Sequence, residues 1–128
     1  MALGLSTTLR NARLDAITTA AGSAAKFQIY DGTRPATGAA ITSQVKLAEF
    51  TLGTPFAAVA SAGVLTLNLP ANATGLAAGT ATWGRIVTSG SVFVIDLTAG
   101  SDFTLNTTTI SVGLTVQVTA ASITEGGA

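Results

Sequence analysis

Alternating apolar and polar side chains run through most of this chain and predict short β-strands separated by turns. The strongest pattern covers residues 79–97, GTATWGRIVTSGSVFVIDL, where β-branched and aromatic residues lie on both sides of Ser89-Gly90. Glycine tolerates the positive φ angle that tight hairpin turns require. The stretch therefore predicts two strands that fold back on each other at this dipeptide, with Thr88 opposite Ser91.

The two faces of this predicted hairpin differ in chemistry. Folding at Ser89-Gly90 places Ile86 opposite Phe93, and side chains alternate between the faces along each strand. An uncharged face, expected to pack in the core, contains Thr82, Ile86, Phe93, Ile95 and Leu97. The opposite face contains Trp83, Arg85, Val87, Val92, Val94 and Asp96. A three-residue turn would shift this pairing by one position.

Trp83 and Arg85 make the second face a candidate for a functional binding surface. Both residue types are enriched at interface hot spots, and Trp83 is the only tryptophan of the chain. A large aromatic ring in a β domain is also commonly packed against its own core. Partner contact and internal packing are therefore both open interpretations of Trp83.

One helix is predicted, over residues 5–21. Apolar residues recur there at spacings of three and four in a stripe of Leu5, Leu9, Ala12, Ala16 and Ala20. Ser6 is suited to cap the first turn, and Gly22 follows the last turn, where a left-handed residue is favoured. Leu14 lies off the stripe. The helix either lies on its own sheet or is an arm that uses Leu14 to contact a neighbouring subunit.

The remaining alternation predicts further strands at residues 25–30, 45–52, 63–69, 102–105 and 110–124. The last is either one long strand or a strand with a kink at Gly113. In the last strand one face is expected to hold Leu114, Val116, Val118 and Ala120. The fold class is therefore all-β: a β-sandwich or jelly roll of about 7–8 antiparallel strands with one N-terminal α-helix. We expect a single β-sandwich domain over residues 1–128, with a helix or arm in 1–22 and the β domain in 25–124.

A long irregular stretch, residues 31–43, follows the strand that ends at Tyr30. Asp31-Gly32 is a turn signal, and Arg34 is expected to be extended because Pro35 follows it. Loops of this length commonly carry function or contact a partner. The predicted partner-interface residues are Leu14, Tyr30, Asp31, Arg34, Pro35, Trp83 and Arg85.

Composition narrows the chemistry that the chain can perform. Cysteine and histidine are both absent, which removes disulfides, thiolate nucleophiles and the commonest general base and metal ligand. Asp96 and Asp102 are the only acidic residues close in sequence, and a solvated turn explains them better than a catalytic pair. We therefore expect no enzyme activity and no cofactor.

Charge and hydropathy also bear on partners. The chain has six basic and six acidic residues, only 9% of its length is charged, and no Lys/Arg cluster is present. A nucleic-acid partner is therefore not expected. The sequence shows neither an export-signal pattern nor an apolar run long enough to span a membrane. A weakly charged surface favours a protein that packs against copies of itself or other subunits.

Four segments carry a family resemblance: LRNARLDAI at 9–17, IYDGTRPATGAA at 29–40, GVLTLN at 63–68 and GTATWGRIVTSG at 79–90. Together they resemble a family of small virion structural proteins of tailed bacteriophages and prophages. The resemblance implies a non-enzymatic capsid decoration or cement protein. Its implied partners are the major capsid protein and copies of itself, as a dimer or trimer. Its implied location is the capsid surface, after synthesis in the host cytoplasm.

Two alternatives remain open at this point. One is a phage tail component of the tube or tip, which assembles into rings. The other is a carbohydrate- or receptor-binding module with Trp83 and Tyr30 as stacking platforms, although aromatic residues make up only 5% of the chain.

Overall fold

The computed structural model describes residues 4–124, which form one N-terminal helix and eleven short strands. Helix α1 covers Thr7–Ala21. The strands are β1 Lys26–Tyr30, β2 Lys46–Thr51, β3 Val64–Thr66, β4 Ala73–Thr74, β5 Gly79–Thr80, β6 Trp83–Val87, β7 Phe93–Thr98, β8 Phe103–Leu105, β9 Thr109–Ile110, β10 Thr115–Val116 and β11 Val118–Thr124. The mostly β character and the N-terminal helix agree with the prediction from the sequence. The strands number eleven rather than about 7–8, because residues 110–124 are divided into three strands and β4 and β5 are short additional strands.

All strand pairs are antiparallel, and they build two larger sheets. The first has the order β2-β1-β6-β7 and the second the order β3-β11-β8, while β4 pairs with β10 and β5 with β9. Side chains from both larger sheets share one hydrophobic core. The rings of Phe27 and Phe103, one from each sheet, meet edge to face with centroids 5.0 Å apart.

The β6–β7 hairpin forms where the sequence predicts it, but with a different turn and register. The turn contains three residues, and Ser91 rather than Gly90 has the positive φ angle, 67°. A bulge then follows, so that Ile86 pairs with Ile95 rather than with Phe93. The two one-residue shifts together preserve the alternation, and Arg85 still shares a face with Asp96.

Residues next to the bulge depart from their predicted faces. Phe93 was expected in the core, but its ring lies 5.1 Å from the guanidinium carbon of Arg85 on the opposite face. Thr82, also predicted for the core face, is exposed. Val94, predicted for the opposite face, packs partly buried against the core. Ile86 and Leu97 are buried on the predicted core face, and Ile95 packs against the core.

Helix α1 has both predicted caps and the predicted last residue, but it begins at Thr7 rather than at Leu5 and packs with a different face. The Ser6 side chain accepts a hydrogen bond from the amide of Leu9, and Gly22 has a φ of 68°. The predicted apolar stripe is largely exposed, whereas Leu14 is fully buried in the core. The helix therefore packs on its own domain, and Leu14 has no exposed surface with which to contact a partner.

Polar side chains of α1 explain the face that is buried. Asn11 Oδ1 accepts a hydrogen bond from the amide of Gly63 at 2.9 Å, and Asp15 Oδ1 accepts one from the amide of Ala60 at 2.8 Å. These bonds attach the helix to the segment before β3. The buried side of the helix is therefore partly polar, and apolar periodicity alone does not identify it.

The long C-terminal strand predicted for residues 110–124 is divided into β9, β10 and β11. Gly113, at the predicted kink, has a φ of 85° between β9 and β10. A second irregularity lies between Val118 and Ala120 in the pairing of β11 with β8. It turns Ala121 inward and leaves Ala120 exposed, so the prediction that Ala120 shares a face with Val116 and Val118 is wrong. Leu69, the last residue of the strand predicted for residues 63–69, lies beyond the end of β3 and is 52% exposed.

Candidate functional site

Most of the predicted interface residues meet on the outer face of the four-stranded sheet. β1 and β6 are neighbours, and their register places Tyr30 directly opposite Trp83. The two rings stack with centroids 4.7 Å apart and an interplanar angle of 16°. Only 6% of Tyr30 and 1% of Trp83 is exposed. The rings proposed as sugar-stacking platforms therefore pack against each other inside the chain.

Arg85 completes this cluster from the same strand as Trp83. Its guanidinium carbon lies 5.3 Å from the centroid of the Trp83 ring and 5.1 Å from that of Phe93. Such positions allow the cation to interact with both π faces. The Arg85 Nε and Nη2 atoms donate to the two carboxylate oxygens of Asp96, at 2.7 and 3.1 Å. This two-pronged geometry is the stronger form of a charge-assisted hydrogen bond.

The loop of residues 31–43, called the strap below, lies across this cluster. Arg85 Nη1 donates to the carbonyl of Ala39 at 2.9 Å, and the amide of Gly38 donates to Asp96 Oδ2 at 3.2 Å. The indole N–H of Trp83 donates to the carbonyl of Asp31 at 3.1 Å. The Trp83 and Arg85 face, which was a candidate for a functional binding surface, is therefore covered by the chain's own loop.

Both ends of the strap are joined at its base. The amide of Asp31 donates to the carbonyl of Val45 at 3.2 Å, and Asp31 Oδ1 accepts from the amide of Val45 at 2.6 Å. Further along, Arg34 Nη1 donates to Thr98 Oγ1 at 3.4 Å. Arg34 is exposed and Pro35 is half-buried, so these two of the predicted interface residues lie at the molecular surface.

A glycine lets the strap approach the sheet closely. Gly38 has a φ of 72°, and a Cβ built on it would lie 3.2 Å from the ring of Phe93. A side chain at this position would therefore press on the ring and also strain the backbone. The strap and the Arg85 cluster are therefore complementary in shape. Sequence periodicity does not reveal this fit, because the contacts join residues that are distant in sequence.

A second polar network lies beside the aromatic stack. Gln28 Nε2 and Lys46 Nζ both donate to Glu49 Oε2 at 3.0 Å, and the hydroxyl of Tyr30 donates to Gln28 Oε1 at 3.0 Å. The hydrogen bond from Gln28 lowers the pKa of Glu49, with a further contribution from Lys46. Burial raises the pKa of Tyr30, and the positive charge of Lys46 opposes this effect.

The two carboxylates considered as a catalytic pair both have structural partners. Asp96 binds Arg85, and Asp102 Oδ2 accepts a hydrogen bond from the amide of Thr98 at 2.8 Å. Within residues 4–124, no group of three or more acidic side chains is arranged to hold a metal ion. The one helix of the described chain is too short to cross a membrane.

A second surface, which the strand and helix patterns of the sequence did not indicate, is defined by its lack of charge. No charged residue occurs in residues 51–84 or 103–124, and these segments form the whole three-stranded sheet and both two-stranded pairs. Strand pairing puts one set of side chains on the outer side of the β3-β11-β8 sheet: Val64, Thr66, Thr104, Ala120, Ser122 and Thr124. We call this set the neutral face. The two uncharged runs in the sequence were the available signal.

The neutral face contains a groove of about 420 Å³. Its lining includes Thr66 and Ser122 from neighbouring strands and the half-exposed Leu69 beyond β3. Leu69 therefore adds apolar surface beside a shallow depression that contains no charged side chain.

Comparison with known proteins gives no match for this chain, whether with protein-family models, with curated proteins or with solved structures.

Proposed function

We propose that this chain is a non-enzymatic virion structural protein of a tailed bacteriophage, and specifically a capsid decoration protein that cements neighbouring shell subunits. The observation that carries the proposal is the uncharged half of the molecule, formed by residues 51–84 and 103–124. The cores of protein interfaces are depleted of charged residues, whereas an ordinary soluble surface is rich in them. The sequence resemblance supplies the virion context.

The proposal includes a β-sandwich built from the two larger sheets. Its support is the shared core, in which Phe27 of one sheet contacts Phe103 of the other, and in which Leu65 and Ile123 pair across β3 and β11. A sandwich gives a stable platform whose outer faces remain for contacts. This suits a protein that reinforces an assembly without carrying out a reaction.

Docking on a shell would combine many modest contacts. Uncharged surfaces bind through apolar burial and main-chain or hydroxyl hydrogen bonds, with little electrostatic steering. Repetition of such contacts by the symmetry of a capsid gives avidity. In this proposal the partners are the major capsid protein and copies of the chain itself. Exposed Arg34 and neighbouring Pro35 on the strap are proposed contacts with the capsid.

Co-sedimentation with capsids that lack the protein tests the proposal, followed by electron cryo-microscopy of the pellet. We expect density at regular positions on the outer shell. The variant Arg34→Ala should bind the shell more weakly, whereas Lys26→Ala, at the first residue of β1 and outside the strap, should bind normally. Rings or tubes formed by the protein alone, without capsid binding, would instead support a tail component. Binding in a glycan array without capsid binding would support the carbohydrate-binding alternative.

A further inference from the structure

We infer that the neutral face is the site at which two copies of this chain associate, face to face about a two-fold axis. The inference rests on the proposed function, in which the uncharged half of the chain packs against protein subunits, and it names the partner of that surface. The occupant of the neutral face is the same face of a second copy.

Charge matching is the first argument for this occupant. All described charged residues lie in residues 10–49 and 85–102, outside the strands of the three-stranded sheet. Asp102 borders the neutral face, where it lines a shallow pocket with Thr104 and Ala120, and its carboxylate accepts a hydrogen bond from the amide of Thr98. A partner surface with charged groups would lose their hydration on docking and meet no opposite charge on the neutral face. The matching surface is therefore also uncharged, and the chain itself supplies one.

Shape is the second argument. The groove of about 420 Å³ and the 52% exposed side chain of Leu69 lie on the same surface. In a two-fold interface both subunits present the same patch, so every contact between two different residues occurs twice. Leu69 is itself part of the groove lining, so a two-fold axis beside the groove brings the exposed Leu69 side chains and the grooves of the two copies against each other. The exposed apolar surface of both copies is then buried.

Hydrogen bonding is the third argument. The neutral face holds the hydroxyl groups of Thr66, Ser122 and Thr124, and a hydroxyl both donates and accepts hydrogen bonds. Two identical hydroxyl-bearing faces can therefore satisfy each other without any charged group. Thr104 and Thr119 already make such a bond within the chain, with their Oγ1 atoms 2.8 Å apart.

The surface of one copy is large enough for a stable dimer interface. Stable interfaces bury roughly 800 Å² on each partner. The accessible surface of one copy is 6370 Å², so the interface would occupy only a small fraction of it. The three strands of the neutral face and the surroundings of the groove would form the interface, which leaves the strap and the uncharged β4–β10 and β5–β9 pairs for the capsid.

Sedimentation equilibrium of the full-length protein over a range of concentrations tests the inference. We expect a monomer–dimer equilibrium that depends little on salt, because no ion pair contributes. Ala120→Lys should weaken the dimer by roughly tenfold or more, since the two-fold axis brings two like charges together. Ser89→Lys, in the exposed β6–β7 turn of the other sheet, adds the same charge and should leave the dimer constant unchanged.

A mixing experiment makes the test specific to the two-fold geometry. Ala120→Lys and Ala120→Glu should each be mainly monomeric, while an equimolar mixture should form heterodimers. Trp83 emission identical to that of the original protein shows that each variant is folded. If the charged variants do not fold, Leu69→Ala replaces them and should weaken the dimer by roughly tenfold.

Each outcome has a defined meaning. A wild-type protein that stays monomeric, or a dimer that is insensitive to both Ala120→Lys and Leu69→Ala, overturns the inference. A monomer that still decorates capsids overturns the dimer and leaves the proposed function standing. A dimer that is broken by these variants but never binds capsids supports the inference and overturns the decoration role.

Discussion

Arg85 and Asp96 form an ion pair that joins β6 to β7 and is almost fully buried, with side chains 8% and 2% exposed. Both partners also hold the strap, through Ala39 and Gly38. Asp96→Asn leaves a buried guanidinium without its counter-charge. We expect the free energy of unfolding to fall by about 3–5 kcal/mol, measured by urea denaturation with Trp83 emission as the signal.

An exposed ion pair on the same sheet is the matched control. Lys46 and Glu49 also lie 3.0 Å apart, but their side chains are 39% and 32% exposed. Glu49→Gln should therefore change the free energy of unfolding by less than about 1 kcal/mol. Equal losses for Asp96→Asn and Glu49→Gln would mean that burial of the Arg85 pair has no special effect on stability.

Gly38→Ala should loosen the strap. The substitution forces a left-handed backbone on alanine and brings its Cβ to 3.2 Å from the Phe93 ring. Gly100→Ala is the matched control, because Gly100 also has a positive φ, 93°, but nothing lies within 4 Å of the added Cβ. Hydrogen exchange of the amides in residues 31–43 should accelerate in Gly38→Ala and not in Gly100→Ala. Equal exchange in both variants would show that the Phe93 contact does not restrain the strap.

The raised pKa of Tyr30 predicts that the folded protein loses stability at alkaline pH. Burial raises its pKa above the ordinary tyrosine value of 10.0, which the unfolded chain keeps. The unfolded state therefore loses its proton first, and stability that is complete below pH 10 should fall as pH rises through the folded-state pKa. Tyr30 is the only tyrosine, so absorbance of tyrosinate follows it directly.

Tyr30→Phe provides the control for this pH effect. The variant lacks the ionisable hydroxyl, and its stability should vary less with pH over the same alkaline range. A titration of the folded protein with a midpoint at or below 10.0 would contradict the predicted direction.

Leu14 and Leu9 should differ sharply although both belong to α1. Leu14 is fully buried, and Leu14→Ala should lower the free energy of unfolding by about 2–5 kcal/mol through lost burial and a residual cavity. Leu9 is 47% exposed, so Leu9→Ala should cost less than about 0.5 kcal/mol. Thermal or urea unfolding measures both. A small effect of Leu14→Ala would contradict the packing of α1 on its own core.

Local signals in the sequence are sufficient for some features of this structure. The start and end of α1 follow from Ser6 and Gly22 because capping depends on neighbouring residues. The alternation in β1 likewise places Phe27 and Ile29 in the core. The hairpin faces are confirmed away from its turn because two register shifts compensate each other.

Features set by distant contacts could not be predicted in this way. Alanine gives a weak apolar signal, so the stripe on α1 did not identify Leu14 as the buried residue. Coverage of Trp83 and Arg85 depends on a loop that lies more than forty residues away in sequence. The neutral face requires knowledge of which strands pair, because its residues come from β3, β8 and β11.

The joined ends of the strap give the chain a place where its length can change. Asp31 and Val45 hold the two ends together independently of what lies between them. Each doubling of a flexible loop adds only about 0.6 kcal/mol of closure entropy. Insertions at Thr37 would therefore enlarge a surface branch while the sheet beneath keeps its register. The strap is therefore a suitable position for displaying foreign peptides. Related chains could also differ in the length of this loop while their cores stay the same.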